Sequence, residues 1–268
     1  MSQKEYFVEY ILTTLNEREN EIKAQWSNPL GTKVRHFTLD GLLREKDCLE
    51  IFNAFPIDAE GFLKLKSFRE KKKTTVELEK YHPILTDITY AFQDERLVDR
   101  LSNIIGLKNI EPDPNLYAGG LSMMFEGDYL NPHLDNSHDG TRKRYRRLNL
   151  LYYVSPNWCL ENGGNLELWD DALLTQKTLL ARANRLVVME TNKQSWHSVS
   201  CVKVKNPRCC ISNYYFSKES PDGSSYQHVT SFSGRPEQKV KRFVATFDNA
   251  TRNVAAKILG FGRGKSRK

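Results

Sequence analysis

The chain has 268 residues, of which 39% are hydrophobic and 27% are charged, so it is long enough to bury a substantial core and is typical of a soluble globular protein. The first residues carry charged side chains throughout, and no later run reaches the roughly 20 apolar residues that a membrane span needs. We therefore expect neither a signal peptide nor a transmembrane helix.

Residues 1–115 are expected to form a mainly helical region that packs on the core. The stretch 6–12 predicts an amphipathic first helix. Residues 38–55 predict a second helix, capped at Asp40 and ended by Pro56, and 85–107 also show helical spacing. The run Lys71-Lys-Lys73 is expected to be only a solvated turn.

Residues 116–220 change to the period of short strands and are predicted to be the catalytic core. Turn residues separate the apolar runs, as in Asn162-Gly-Gly164. Short strands at regular intervals without helices between them indicate a barrel or jelly roll. The predicted strands are 121–125, 147–154, 165–169, 186–190, 198–202 and 208–216.

Residues 235–268 are predicted to form a basic amphipathic helix and tail. The formal charge of the whole chain is +7, while this segment alone carries +8 and the remainder is close to neutral. The apolar stripe of the helix is expected to pack on the core. The alternative is peripheral contact with an anionic membrane or another polyanion, as basic amphipathic helices make. The pattern contains no interleaved stacking aromatics, so we expect no specific nucleic-acid recognition.

The five cysteines include no CxxC spacing, and neighbouring Cys209 and Cys210 would point to opposite faces of a strand. We expect reduced thiols in a cytoplasmic protein, with the inner face of a membrane as the alternative location.

His133, Asp135 and His197 are candidate ligands of one metal ion. The first two follow a Gly-Asp turn, and His197 lies 62 residues beyond Asp135, after two predicted strands. Two imidazoles and one carboxylate leave three neighbouring coordination positions open, as in non-haem Fe(II) oxygenases. Arg208, on the next strand, carries a planar, permanently charged group that can bind a carboxylate through two parallel hydrogen bonds. These residues predict redox chemistry with molecular oxygen.

This arrangement, from Tyr117 to Phe216, resembles the Fe(II)/2-oxoglutarate-dependent dioxygenases, in particular their prolyl-4-hydroxylase-like branch, and is also similar to bacterial Kdo hydroxylases. The segments that carry the resemblance are 127–135, 146–153 and 163–168, together with His197 and Arg208. The resemblance implies a mainly β fold with flanking helices, namely a double-stranded β-helix of the jelly-roll or cupin-like type, with the metal between its two sheets.

The resemblance also implies the roles of individual residues. His133, Asp135 and His197 would bind Fe(II), and Arg208 would hold the distal carboxylate of 2-oxoglutarate. Tyr153 matches a tyrosine that donates its hydroxyl to the same carboxylate in some relatives, and alternation along the strand places Asn149 on the same face. Many relatives have Arg-x-Ser where this chain has Arg208-Cys-Cys210, which leaves the second carboxylate contact to Tyr153.

The implied reaction is hydroxylation of an aliphatic C–H bond, with consumption of O2, release of succinate and CO2, and ascorbate as a supportive reductant. The substrate would be a prolyl or other protein side chain, or an anionic sugar such as the Kdo of lipid A. Candidate substrate residues are His138, Arg146 and Trp196. Their alternative interpretations are an exposed loop histidine, a solvated basic loop and a barrel-packing aromatic. His228 has no ligand-like context and is expected to be structural or exposed.

Two other classes of function remain open. One is a non-catalytic β-helix that binds a carboxylate or sugar and has lost turnover. The intact triad argues against this loss of activity. A zinc hydrolase could use the same three ligands. That alternative leaves Arg208 and Tyr153 unexplained, and no glutamate stands in an HExxH-like position to act as the base.

Overall fold

Helices occupy much of the N-terminal region of the chain. The computed structural model describes residues 1–240, Arg242 and Thr251. The helices are α1 (Gln3–Glu17), α2 (Glu19–Ser27), α3 (Glu45–Asn53), α4 (Pro83–Ala91) and α5 (Glu95–Ile105). Local signals set their ends: the Ser2 hydroxyl accepts from the backbone N–H of Glu5 at the start of α1, and Gly106, with φ 72°, ends α5.

Strands form one continuous antiparallel path. They are β1 (His36–Asp40), β2 (Leu63–Lys66), β3 (Glu70–Thr75), β4 (Gly120–Met124), β5 (Tyr129–Leu134), β6 (Tyr145–Tyr153), β7 (Leu166–Trp169), β8 (Gln176–Leu179), β9 (Arg185–Glu190), β10 (His197–Val199), β11 (Arg208–Ser217) and β12 (Ser231–Phe232). The spatial order is β1-β9-β6-β11-β4-β3-β5-β10-β7-β8, with β2 on β3 and β12 on β5. The sheet curls into a double-stranded β-helix flanked by helices, and the predicted fold class is confirmed.

Side-chain alternation along the strands separates two hydrophobic cores. On β6, Tyr152 faces the helices, whereas Tyr153 faces the inside of the curled sheet. On β11, Cys209 likewise faces the helices, and Cys210 faces the inside of the curled sheet. We call the inner space the lumen; its lining includes Met124, Leu130, Tyr153, Leu168, Val187, Met189, Cys210 and Phe232. The period of two residues along a strand therefore decides which polar side chains can reach the lumen.

The N-terminal region differs from its prediction in three places. The helix expected over 38–55 is α3, which begins only at Glu45, because residues up to Asp40 pair with β9 as strand β1. Asp40 caps no helix and binds Arg185 instead. The solvated turn expected at 71–73 is wrong: these lysines lie on β3, between β4 and β5.

The basic C-terminal helix was predicted over residues 235–268, and most of that range lies outside the described residues. None of the helices that the structure describes has both the length and the apolar character to cross a bilayer.

A thiol reagent is expected to modify two cysteines in the folded protein and five after unfolding. All five are free; Cys159 and Cys201 are exposed and the others are buried. Burial raises the pKa of Cys210 to about 11 and that of Cys209 to about 12, so little of the reactive thiolate forms at neutral pH. Colorimetric thiol titration before and after denaturation measures both counts. Fast modification of a third thiol in the native protein would contradict the burial.

Candidate metal and co-substrate site

His133 and His197 are direct cross-strand neighbours on β5 and β10. Their ring centroids are 4.1 Å apart, and the His133 ring stacks on Phe232 of β12 at 5.3 Å. Asp135 directly follows β5 and brings its carboxylate to the same point. The Asp135 Oδ1 atom lies 3.6 Å from Nε2 of His133, and its Oδ2 atom lies 3.7 Å from Nε2 of His197. The sequence-predicted triad therefore converges.

Each imidazole is held so that its Nε2 atom is available to a metal. The Nδ1 atom of His133 contacts the carbonyl of Asn131 at 3.1 Å, and Nδ1 of His197 contacts that of Ser195 at 2.9 Å. A carbonyl can only accept, so both Nδ1 atoms must carry the proton and both Nε2 atoms present lone pairs. Burial, followed by the charge of His133, lowers the pKa of His197 to about 4, which keeps that ring neutral.

Arg146, the second residue of β6, lies beside the carboxylate of the triad. Its Nη1 atom is 3.4 Å from Oδ2 of Asp135, and its side chain is only 1% exposed. Burial alone would raise the pKa of Asp135, but Arg146 and the two histidines outweigh burial and hold the pKa well below its usual range. The carboxylate is therefore ionised and suited to a cation. The burial of Arg146 contradicts the solvated-loop alternative for this residue, and its contact with substrate stays a prediction.

Arg208, the first residue of β11, is held in place by a hydrogen bond to the turn that precedes β7. Its Nε atom donates to the carbonyl of Gly164 at 2.9 Å. The turn requires glycine at the preceding position as well, because a Cβ on Gly163, which has φ +68°, would clash with the carbonyl of Cys201. The Arg208 guanidinium lies 4.6 Å from the centroid of the Tyr153 ring, and the residue is 3% exposed. Its terminal nitrogens are thus directed by the fold.

Several polar atoms around the triad and Arg208 are buried without a hydrogen-bond partner among the described residues. They are Oδ2 of Asp135, Nε and Nη2 of Arg146, Oδ1 of Asn149 and the Tyr153 hydroxyl. Burial raises the pKa of Tyr153, so its hydroxyl remains a donor. Leaving such groups unpaired costs roughly 1–3 kcal/mol each, so they indicate a site that a polar ligand completes.

The donor set fits the group that the sequence predicts. The three ligand atoms lie within 4.8 Å of one another. Cis ligands at about 2.1 Å from one ion are about 3 Å apart, so only a small closure is needed. The buried guanidinium of Arg208 and the Tyr153 hydroxyl, which has no partner in the described part of the chain, match the needs of a carboxylate. These residues could hold a divalent metal and an adjacent diacid.

A cleft lies next to the triad, lined in part by His138, Arg142 and His228. His138 packs on Tyr145, with centroids 4.2 Å apart, and burial lowers its pKa. The lining of the cleft includes Asn136, which directly follows the triad residue Asp135. Trp196, the third candidate substrate residue, is half-buried, with its backbone carbonyl accepting from Trp169.

The sequence patterns did not indicate some residues of the cleft and of the lumen. His228, expected to be structural or exposed, is half-buried in the cleft, where its backbone N–H donates to the Ser137 hydroxyl. Lys72 of β3 faces the lumen, as does Ser122 of β4, which is paired with Cys210. The only available signal was alternation, and it requires knowing that β3 is a strand.

The family model for the 2OG-Fe(II) oxygenase superfamily matches residues 119–216. This segment begins at β4, ends in β11 and contains the converged triad and Arg208. It is a 2OG-Fe(II) oxygenase domain. The predicted recognition, enzyme class and use of Fe(II) and 2-oxoglutarate are confirmed. A search of curated protein sequences finds no match.

Solved structures show the same fold around this oxygenase domain. A prolyl hydroxylase from Trichoplax adhaerens, in complex with a hypoxia-inducible-factor peptide fragment, is 17% identical with a TM-score of 0.55, covering 80% of this chain and 96% of that one. A prolyl-4-hydroxylase from Pseudomonas putida is 15% identical with a TM-score of 0.52, covering 73% and 98%. One from Phytophthora capsici is 14% identical with a TM-score of 0.53, covering 92% and 77%.

Proposed function

We propose that this oxygenase hydroxylates an aliphatic C–H bond and releases succinate and CO2. The observation that carries the proposal is the convergence of His133, Asp135 and His197 in one cluster, with Arg208 also buried in the same curled sheet. In this proposal the two Nε2 atoms and the Asp135 carboxylate hold Fe(II). Bound iron supplies the reactivity with O2, and the protein supplies positioning and exclusion of water.

The co-substrate is proposed to lie along the lumen. Arg208 would donate to the distal carboxylate of 2-oxoglutarate, and the Tyr153 hydroxyl would donate to the same group. Asn149, whose side-chain oxygen is buried without a partner in the described part of the chain, would line this pocket. The alternatives of a carboxylate-binding shell and a zinc hydrolase explain the arginine and the tyrosine less well.

The substrate is proposed to approach through the cleft. His138 would contact it there, with Trp196 as a further contact. Arg146 is more buried, with its guanidinium 3.9 Å from the Tyr214 ring centroid and two of its nitrogens without a hydrogen-bond partner among the described residues. It would donate to a carbonyl or an anionic oxygen of the substrate while it also contacts Asp135.

A prolyl residue of a protein or peptide is the first substrate candidate. Its support is the shared fold with prolyl hydroxylases, one of which is described in complex with a peptide. An aliphatic ring with flanking carbonyls also suits a buried arginine beside the iron, because the backbone carbonyl next to the reacting carbon can accept a hydrogen bond.

An anionic sugar, such as the Kdo of lipid A, is the second candidate. Its support is the presence of two arginines, Arg142, which lines the cleft together with Asp139, and Arg146, which lies beside Asp135. If the substrate is membrane-borne lipid A, residues 235–268 would make peripheral contact with the anionic membrane that carries it. Deletion of those residues, with retained folding and lost binding to anionic vesicles, would support it.

The test of the proposal is product analysis by mass spectrometry. The enzyme, Fe(II), 2-oxoglutarate and O2 are incubated with proline-containing peptides and, separately, with Kdo-bearing lipid A. We expect a gain of one oxygen atom in one substrate class, matched by succinate, and none with Asp135→Ala. Hydrolysis of a substrate with zinc, without any gain of oxygen, would refute the proposal.

A further inference from the structure

Strand β3 brings a positive charge into the lumen from outside the segment that matches the family model. Lys73 pairs with Met123 and Thr74 with Ser122. On β11, Cys209 pairs with Met123 and Cys210 with Ser122. Residues paired directly across strands share a face of the sheet. Thr74 therefore lies on the same face as Cys210, which lines the lumen, and Lys73 lies on the opposite face.

Lys72 follows from the same register. It is two residues from Thr74, so it shares the lumen face. Continuing the β3–β4 register places Lys72 beside Met124, and Met124 is the direct partner of Arg208. Lys72 and Arg208 thus lie in one cross-strand row, two strands apart, or about 10 Å between backbones. Both side chains are long enough to meet over Met124.

The electrostatics of neighbouring groups agree with this placement. Burial raises the pKa of Cys210 to about 11, while the charges of Arg208 and Lys72 act against that rise. Both cations therefore act electrostatically on the Cys210 thiol. Lys72 is also among the lesser charges that lower the pKa of His197, after burial and His133. The charge of Lys72 therefore acts on groups on both sides of the lumen, the triad histidine and the Cys210 thiol.

The local partner of Lys72 leaves it able to serve a ligand. Its Nζ atom is 3.5 Å from Oε2 of Glu70, a lumen-facing residue opposite Leu130. The Lys72 side chain is 23% exposed, whereas that of Glu70 is 7% exposed. The lysine side chain is therefore partly accessible, and the buried glutamate competes with any anion that binds to it.

We propose that Lys72 is a second cation of the co-substrate pocket, which shares the distal carboxylate of 2-oxoglutarate with Arg208, and that Glu70 restrains it when the pocket is empty. This inference rests on the proposed function. It accounts for the departure at Arg208-Cys-Cys210, where a hydroxyl donor is missing: the charge of Lys72 would replace the lost carboxylate contact.

Two variants of opposite expected sign test the proposal. Lys72→Met keeps the aliphatic stem and removes the charge, and it is expected to weaken 2-oxoglutarate binding about ten-fold. Glu70→Gln frees the ammonium group and is expected to tighten binding by about three-fold. Dissociation constants come from anaerobic titration of the Fe(II) enzyme, followed by its visible charge-transfer band, which needs no substrate and no turnover. Lys64→Met, on the exposed part of the same hairpin, is the matched control.

The outcomes separate this inference from the proposed function. If the wild-type enzyme binds 2-oxoglutarate and Lys72→Met binds it equally well, Lys72 has no role in the pocket. Equal weakening by Lys64→Met and Lys72→Met would reduce the effect to general surface charge and would also refute the proposal. If the wild-type enzyme shows no 2-oxoglutarate-dependent band at all, the proposed function itself fails.

Discussion

Replacing His133 by alanine is expected to abolish the visible band that Fe(II) and 2-oxoglutarate produce together, and hydroxylation with it. The reason is geometric: without this imidazole, Asp135 and His197 offer only two ligands on one side of the ion. Loss of an outer-shell partner commonly costs 10–100-fold in metal affinity, so loss of a ligand should cost more than that range. Anaerobic absorption spectra and metal analysis after dialysis measure the effect.

A matched control is His82→Ala, which removes an exposed histidine at the start of α4. Its ring accepts from the backbone N–H of Ile84, so the variant should lose about 1 kcal/mol of helix capping and keep its iron. Retention of the band in His133→Ala would remove this residue from the metal site. A zinc-dependent hydrolysis without an iron band would instead favour the hydrolase alternative.

Prediction from sequence succeeded where local pattern and tertiary environment agree. Strands β6, β9 and β11 carry apolar residues on both faces because one face packs under helices and the other lines the lumen, and all three appear within two residues of their expected limits. The triad could be predicted because imidazole and carboxylate are needed by the metal whatever the surrounding fold.

Prediction failed where backbone pairing overrides composition. Strand β3 reads Glu-Lys-Lys-Lys-Thr-Thr, which has no apolar residue, yet β4 and β5 both supply hydrogen-bonding edges to it. Strand β5 contains Pro132, which lowers its apparent strand propensity although Leu130 faces the lumen. Because these strands went unpredicted, the sequence could not indicate that Lys72 enters the site.

The same limit explains why the burial of Arg146 could not be predicted from the sequence. Five cations within six residues look like a solvated loop, and composition alone favours that interpretation. Register on β6 instead buries Arg146 against the Tyr214 ring and the carboxylate of Asp135. A buried arginine is tolerated because an anion and aromatic faces surround it. Its environment is a property of the assembled sheet.

Arg208→Ala is expected to weaken 2-oxoglutarate binding by roughly 2–5 kcal/mol, while Fe(II) binding persists. Arg208 is 3% exposed, and its Nε atom already donates to the Gly164 carbonyl, so the terminal nitrogens are pre-oriented. Truncation would leave a carboxylate buried without its main counter-charge. Isothermal titration with the anaerobic iron-loaded enzyme measures the change.

Conservative variants separate charge from geometry at this position. Arg208→Lys keeps the charge but loses the planar fork and the bond to Gly164, so its affinity should fall between those of wild type and Arg208→Ala. Tyr153→Phe removes one neutral donor and should cost only about 0.5–1.5 kcal/mol, because the ring still packs beneath the guanidinium. Unchanged 2-oxoglutarate affinity in Arg208→Ala would show that the diacid is held elsewhere. A parallel loss of Fe(II) would mean that the arginine supports the fold of the site, because the metal ligands lie on β5 and β10, away from the β11 residue being truncated.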